Sequence, residues 1–314
     1  MKRLLLASVA VTALAAAFAA LSAAAPWAGS SQAGPASADA VTRLPALPPE
    51  VRERRRWQIG VKCDFPPFGY INRENRIAGY DVDVARRFAE LAFGRRNRVS
   101  LTCVTTPSRI PVLQQRRVDI IIATLTWTAA REEVIDYSYP YYNATGRLLV
   151  PNTSSLATAR LSALNGRRVA TTRGSIYDRW TRTCFPRASL VLTDSPVAAL
   201  ENLRSGRADT FMFDDTFLLG VAANDRNLRM TNHLFLNIPY GIGIRKGDVA
   251  MKRWVDAALL QMKRRDEFWR ILQRNSPRAF WRFFRTRVPR PGTRERYPRG
   301  TASNPAPAEA CPGS

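Results

Sequence analysis

Arg131 lies a few residues after three hydroxyl side chains, Thr124, Thr126 and Thr128, which alternate with Leu125 and Trp127. A planar guanidinium makes two parallel hydrogen bonds to a carboxylate, and neighbouring hydroxyls can complete the shell of a bound anion. Glu132, Glu133 and Asp136 follow at once, so the same Arg could instead pair with them on the surface. Thr128 also has the placement of a helix cap. Further on, Gly174-Ser175 follows an apolar stretch and opens a helical pattern. Backbone N–H groups at such a start hold anions, and a plain N-cap has the same sequence. A zinc site is not expected from the Cys and His residues. Cys63, Cys103, Cys184 and Cys311 show no paired C-x-x-C spacing, and His233 is the single histidine. That set lacks the paired spacing of zinc ligands.

The elements that must position these residues repeat a pattern. Trp57 to Val61 reads as a strand that stops at the turn Asp64-Phe65-Pro66-Pro67. Val82, Val84, Ala85, Phe88, Ala89 and Leu91 recur at helical spacing, and Gly94 closes that helix. Val99 to Val104 is a second strand and Ile110 to Arg116 a short helix. The run from Asp119 to Ala123 has the three consecutive Ile of a buried parallel strand. Strand, helix, strand, helix, strand specifies a doubly wound α/β sheet. Residues 168–223 repeat it: strands at 168–172, 190–192 and 209–213 alternate with helices opening at Gly174-Ser175, Ser195-Pro196 and Asp215. The second unit has its own core, so two lobes are expected, with the helices between Asp248 and Arg274 returning to the first.

The ends and the charge set limits on compartment and partners. Met1-Lys2-Arg3, an apolar run from Leu4 to Leu21 and the small residues Ser22-Ala23-Ala24-Ala25 have the order of a cleaved secretory signal. Residues 26–54 read as a flexible leader, and 289–314 as a disordered, basic, Pro-rich tail. The formal charge of +23 is spread through the folded region rather than confined to the tail. An exported chain with scattered Arg is not expected to bind nucleic acid; a positive surface that attracts anionic solutes is the milder inference. Export also places the Cys residues in an oxidising compartment, where a Cys63–Cys103 disulfide fits two neighbouring strand ends.

Taken together, the segments IGVKCDFPPFGY (59–70), AGYDVDVARRFAELA (78–92), PVLQQRRVDIIIATLTWTAAREEVIDYSYPYY (111–142), VATTRGSIYD (169–178), LRSGRADTFMFDD (203–215) and YGIGIRKGD (240–248) resemble the periplasmic substrate-binding proteins of polar amino acid importers. The resemblance runs from about Trp57 to Asn275. It implies a type II periplasmic binding fold, with lobe one formed by 55–144 and 239–288, lobe two by 145–238, and a two-segment hinge. It further implies a monomeric receptor without cofactor, metal or catalytic residue, which captures an amino acid between the lobes and delivers it to an ABC permease. On the matching positions Arg131 grips the ligand α-carboxylate, with Thr124 and Thr126 as hydroxyl partners. Gly174, Ser175 and the backbone of Ile176 hold its other side. The family carries a Thr or Ser where this chain has Ile176, which removes one side-chain hydrogen bond. Asp214 receives the ligand ammonium, with Asp215 as the competing carboxylate or a helix cap. Phe65 lies where the family sets an aromatic ring against the ligand, or else is a core residue. Lys62 addresses the ligand side chain and points to an acidic or otherwise anionic one, unless it faces solvent. The rival reading from the same fold is a periplasmic cyclohexadienyl or arogenate dehydratase.

Overall fold

The computed structural model describes residues 43–297 and 310–312; the expected signal peptide and the first part of the leader lie outside the described residues. Two sheets organise the chain. The first runs Val99–Cys103, Trp57–Val61, Ile120–Ile121, Gly243–Arg245, Ile135–Tyr137. Its first three strands are parallel, and Gly243–Arg245 inserts antiparallel between Ile120–Ile121 and Ile135–Tyr137. Trp57, Ile59 and Val61 are fully buried, as a strand covered on both faces requires. Helix Tyr80–Phe93 packs Val84, Ala85 and Phe88 onto this sheet and ends at Gly94, whose left-handed φ of 68° suits a residue without a Cβ. The late helix Val249–Arg264 returns to the same lobe, where Trp254 meets Trp57 at 4.9 Å between ring centroids.

The second sheet runs Ser189–Thr193, Arg168–Thr172, Thr210–Asp214, Tyr142–Pro151, Leu228–Met230, with Phe235–Tyr240 also paired to Tyr142–Pro151. Its first three strands are again parallel. The two crossing segments are bound to each other: Ile238 lies opposite Ala144 and Tyr240 opposite Tyr142 in an antiparallel ladder. Lobe one and lobe two are therefore joined by a paired ribbon rather than by two loose linkers, the form of hinge that absorbs rotation at element ends.

Two boundaries differ from those expected. Residues 43–54 are not a loose leader, because Pro49–Arg54 forms a helix whose Val51 is fully buried. Glu50 pairs with Arg245 at 2.8 Å and Arg54 with Asp119, tying that helix to the first sheet. Nor is the stretch from 289 to 297 disordered. Arg290 makes a two-pronged pair with Asp266 (2.6 and 2.9 Å), Lys263 pairs with Glu295, and the Tyr297 ring stacks on Trp127. Composition suggested disorder because the segment is Pro-rich and polar, but charge partners on lobe one order it. Cys63–Cys103 is bonded, and a second bridge joins Cys184 to Cys311. Among the described residues no helix is long and apolar enough to cross a membrane.

Just before this segment, Arg287 ion-pairs with Asp215, a carboxylate with no solvent exposure that also accepts from Thr145. The Arg287 carbonyl accepts from Asn143 N on the crossing strand (2.8 Å). Removing one partner of a buried pair leaves an uncompensated charge, at a cost of about 3–5 kcal/mol. Arg287→Ala is therefore expected to lower the unfolding free energy by about 3 kcal/mol in urea titrations, whereas replacing the exposed Arg253 should change it by no more than about 0.5 kcal/mol. Equal, small losses at both positions would show that the pair is not structural.

Candidate functional site

The C-terminal ends of the parallel strands from both lobes converge, as ligand clefts do in open α/β sheets. Lys62 follows Trp57–Val61, the run from Thr124 to Thr128 follows Ile120–Ile121, Arg173 to Ser175 follow Arg168–Thr172, and Asp214 ends Thr210–Asp214. Thr128 caps the short helix Ala129–Glu132, its Oγ1 accepting from Arg131 N at 3.2 Å. That cap aims the Arg131 side chain back across the cleft. Its Nη1 donates to Thr126 O (2.7 Å) and its Nη2 to Gly174 O of the other lobe (2.8 Å). Arg131, Gly174, Ser175 and Ile176 line one cavity of about 320 Å³, within the range of small-ligand sites.

On the lobe-two side, Gly174 takes a left-handed φ of 69°, and Ser175 caps helix Ile176–Cys184 by accepting from Asp178 N. Asp178 in turn accepts from Gly174 N (3.0 Å), and Ser175 N donates to Thr172 O. Two of the amides that the sequence offered to a ligand carboxylate are thus engaged within the loop.

The other candidates, Lys62, Phe65, Thr124, Thr126 and Asp214, do not line this cavity and are all buried. Asp214 is 5 % exposed and accepts hydroxyl hydrogen bonds from Tyr177 and from Tyr240 (2.6 Å). Burial raises its carboxyl to about 6, against the lowering effect of those two phenols. It is therefore largely ionised at neutral pH and suited to a cation. Asp215 has its charge spent on Arg287, which separates the roles of the two neighbours. Lys62 is fully buried and pairs with Asp64 at 2.9 Å; burial lowers its ammonium from the ordinary value, and Asp64 opposes that. Phe65 packs against Phe213 and Phe217 of the other lobe, at 5.4 and 5.3 Å between centroids. It belongs to an aromatic contact between lobes. Thr124 has a φ of 46° and donates its N–H to Asp81 (3.0 Å).

Three residues of this site were not singled out by the sequence. Tyr177 and Tyr240 hold Asp214. Arg109, 4 % exposed, donates through Nη1 to the carbonyls of Ala123 and Thr124, both at 2.9 Å. The signal for the tyrosines was their position after a predicted helix start and on a crossing segment. Arg109 carried no signal, being one of many scattered Arg residues.

The match to bacterial extracellular solute-binding proteins, family 3, covers residues 57–276, the span that forms both lobes. This chain belongs to that family. The ABC transporter glutamine-binding protein of Bacillus subtilis is 31% identical over 231 residues, 72% of this chain and 84% of that protein. The structure of a cysteine-binding protein from Campylobacter jejuni superposes with a TM-score of 0.69 at 25% identity, over 72% of this chain and 91% of that one. An ancestral amino acid-binding protein described as a precursor of cyclohexadienyl dehydratase superposes with a TM-score of 0.65, also at 25% identity, over 72% of this chain and 96% of that one. The fold is the two-lobed type II periplasmic binding architecture, and the chain is an amino-acid solute receptor by family.

Behind the cleft of this solute-binding protein, Asp81 is fully buried and bonded to Tyr141 OH and Thr124 N. Burial raises its carboxyl from 3.8 to about 8. A carboxyl with a higher pKa folded than unfolded holds its proton more tightly in the native state. Its contribution is therefore full at low pH and is lost as pH rises from 3.8 toward about 8. Asp81→Asn keeps the neutral shape and should remove this part of the pH dependence. Urea unfolding at about pH 6 and about pH 8 should show a smaller decline for the variant than for the parent. An unchanged decline would mean that another group is responsible.

Proposed function

We propose that this protein is the receptor of an ABC importer and captures an amino acid between its lobes. The observation that supports the proposal is that Arg131 of lobe one reaches across to Gly174 of lobe two, while lobe two carries the buried carboxylate Asp214 at a strand end. Arg131 already reaches lobe two through Gly174 O, and a ligand α-carboxylate would take over its paired donors. The ammonium would approach Asp214, exchanging with the phenol hydrogen bonds. Because the two charged ends are held by different lobes, the ligand stabilises the closed arrangement through contacts that an open one lacks. Thr126 contributes through its backbone, its carbonyl being shared by Arg131 and Tyr137. Delivery to a membrane permease, export across the inner membrane and action as a monomer complete the proposal.

A receptor is preferred to a dehydratase on the acids available. Glu132 accepts from the Trp127 indole (3.1 Å) and Glu133 is exposed, so neither is aimed into the cleft as a general acid. The named relatives are likewise described as binding proteins.

A thermal-shift screen against the common amino acids tests the proposal, since a ligand that binds only the folded state raises the melting temperature. At least one amino acid is expected to shift it. Arg131→Ala and Asp214→Ala should each weaken that ligand by roughly 30-fold or more in calorimetric titration, the cost of leaving one half of a buried charge pair. Unchanged affinity in both variants would refute the scheme, and formation of an aromatic product from arogenate would favour the enzyme.

A further inference from the structure

Around and beyond residue 276, where the span shared with the family ends, the chain carries a charged surface that the ligand scheme does not use. Between Glu267 and Glu295 there are eight Arg and no Asp or Glu. Arg287 and Arg290 are engaged by Asp215 and Asp266. Arg274, Arg278, Arg282 and Arg285 are all exposed, and among the described residues none of them makes an ion pair. Glu90 and Glu267, which share a surface hollow with Arg274, are held by Arg87 at 3.1 and 2.6 Å. The four cations run from the end of helix Glu267–Asn275 through the turn Arg278–Phe280 and past Trp281–Phe284. Two half-buried indoles are set among them. Trp269 and Trp281 meet edge to face at 6.0 Å between centroids, Arg278 lies 5.9 Å over the Trp281 ring, and Arg290 lies 5.3 Å over Trp269.

Four exposed guanidiniums without counter-charges call for a partner that is itself a dense array of anions. The indoles narrow its class. Trp is favoured where one part of a side chain is apolar and the other wet, which is the headgroup level of a bilayer. A surface of anionic phospholipid offers phosphates to the guanidinium forks and an interfacial layer to the rings. The formal charge of +23 adds attraction toward such a surface from a distance. We infer that the face carrying Arg274, Arg278, Arg282, Arg285 and Trp281 is a docking surface for an anionic phospholipid membrane. None of these residues lines the cavity beside Arg131, so the inference stands apart from the amino-acid scheme.

Cosedimentation with lipid vesicles tests the inference, using the chain from Pro26 onward so that the apolar run from Leu4 to Leu21 cannot itself enter lipid. The parent is expected to bind vesicles of phosphatidylglycerol mixed with phosphatidylcholine and to stay in solution with phosphatidylcholine alone. Binding should fall steeply between about 0.05 and about 0.5 M salt, as screening shortens the reach of exposed charge. Each cation near an anionic surface contributes about fivefold, so the combined variant Arg274→Gln, Arg278→Gln, Arg282→Gln, Arg285→Gln should bind on the order of 100-fold more weakly. Those positions are exposed, so the variant should melt with the parent. Trp281→Ala should weaken vesicle binding several-fold and leave binding to soluble poly-glutamate unchanged. Failure to bind the anionic vesicles, equal binding to phosphatidylcholine, or no loss in the four-Arg variant would overturn the inference. So would equal binding of vesicles and poly-glutamate with Trp281→Ala silent on both, which would point to an acidic macromolecule instead. The parent's lipid preference and salt dependence need no variant, so the test survives if a variant fails to fold.

Discussion

Charge held out of water is the constraint on which this protein is built. Where the strand ends of the two lobes meet, Lys62, Arg109, Asp214 and Asp215 are all buried, and Arg131 spans the gap between them. Each such group costs several kcal/mol unless partners replace its hydration. The surrounding architecture supplies partners for most of them: Asp64 for Lys62, two tyrosine hydroxyls for Asp214, and Arg287 with Thr145 for Asp215. The hinge ribbon takes part as well, because Tyr240 sits on the crossing strand Phe235–Tyr240 and donates to Asp214. Arg287 anchors from outside the span shared with the family, which ends at residue 276.

This arrangement links the site to the motion expected of a two-lobed receptor. Asp214 is bonded to Tyr177 of its own lobe and to Tyr240 of the hinge, so a change at its carboxylate is felt directly at the crossing segment. Arg131 bonds to Gly174 O across the cleft, so the contact between lobes lies on the side chain proposed to bind the ligand carboxylate. Phe65 adds an apolar contact between lobes against Phe213 and Phe217, one residue from Asp214 and two from Asp215. A ligand that competes for these polar groups therefore acts on the lobes' relative stability without needing a separate trigger.

Most of the frame was legible in the residues. The alternation of strands and helices, the helix stop at Gly94 and the three Ile at 120–122 follow from periodicity and local conformational preference, and they appear where expected. Arg131, Ser175 and Asp214 were singled out through the resemblance of their segments to the family, with Ser175 also legible as a helix cap. What escaped depends on contacts distant in sequence. Arg109 is defined by the carbonyls of Ala123 and Thr124, which only the folded sheet brings beneath it. The stretch 289–297 is ordered by Asp266, Lys263 and Trp127, partners that composition alone cannot reveal. Lys62 was legible as a site residue but not as a balanced one, because its pairing with Asp64 is a matter of rotamer and burial.

The central claim is that one zwitterion is held by Arg131 from one lobe and Asp214 from the other. A crystal structure of the protein with a bound amino acid measures this directly. The account expects the α-carboxylate on the Arg131 guanidinium and the ammonium within hydrogen-bonding distance of Asp214. A ligand oriented the other way, or one seated elsewhere while Tyr177 and Tyr240 keep Asp214 to themselves, would contradict it.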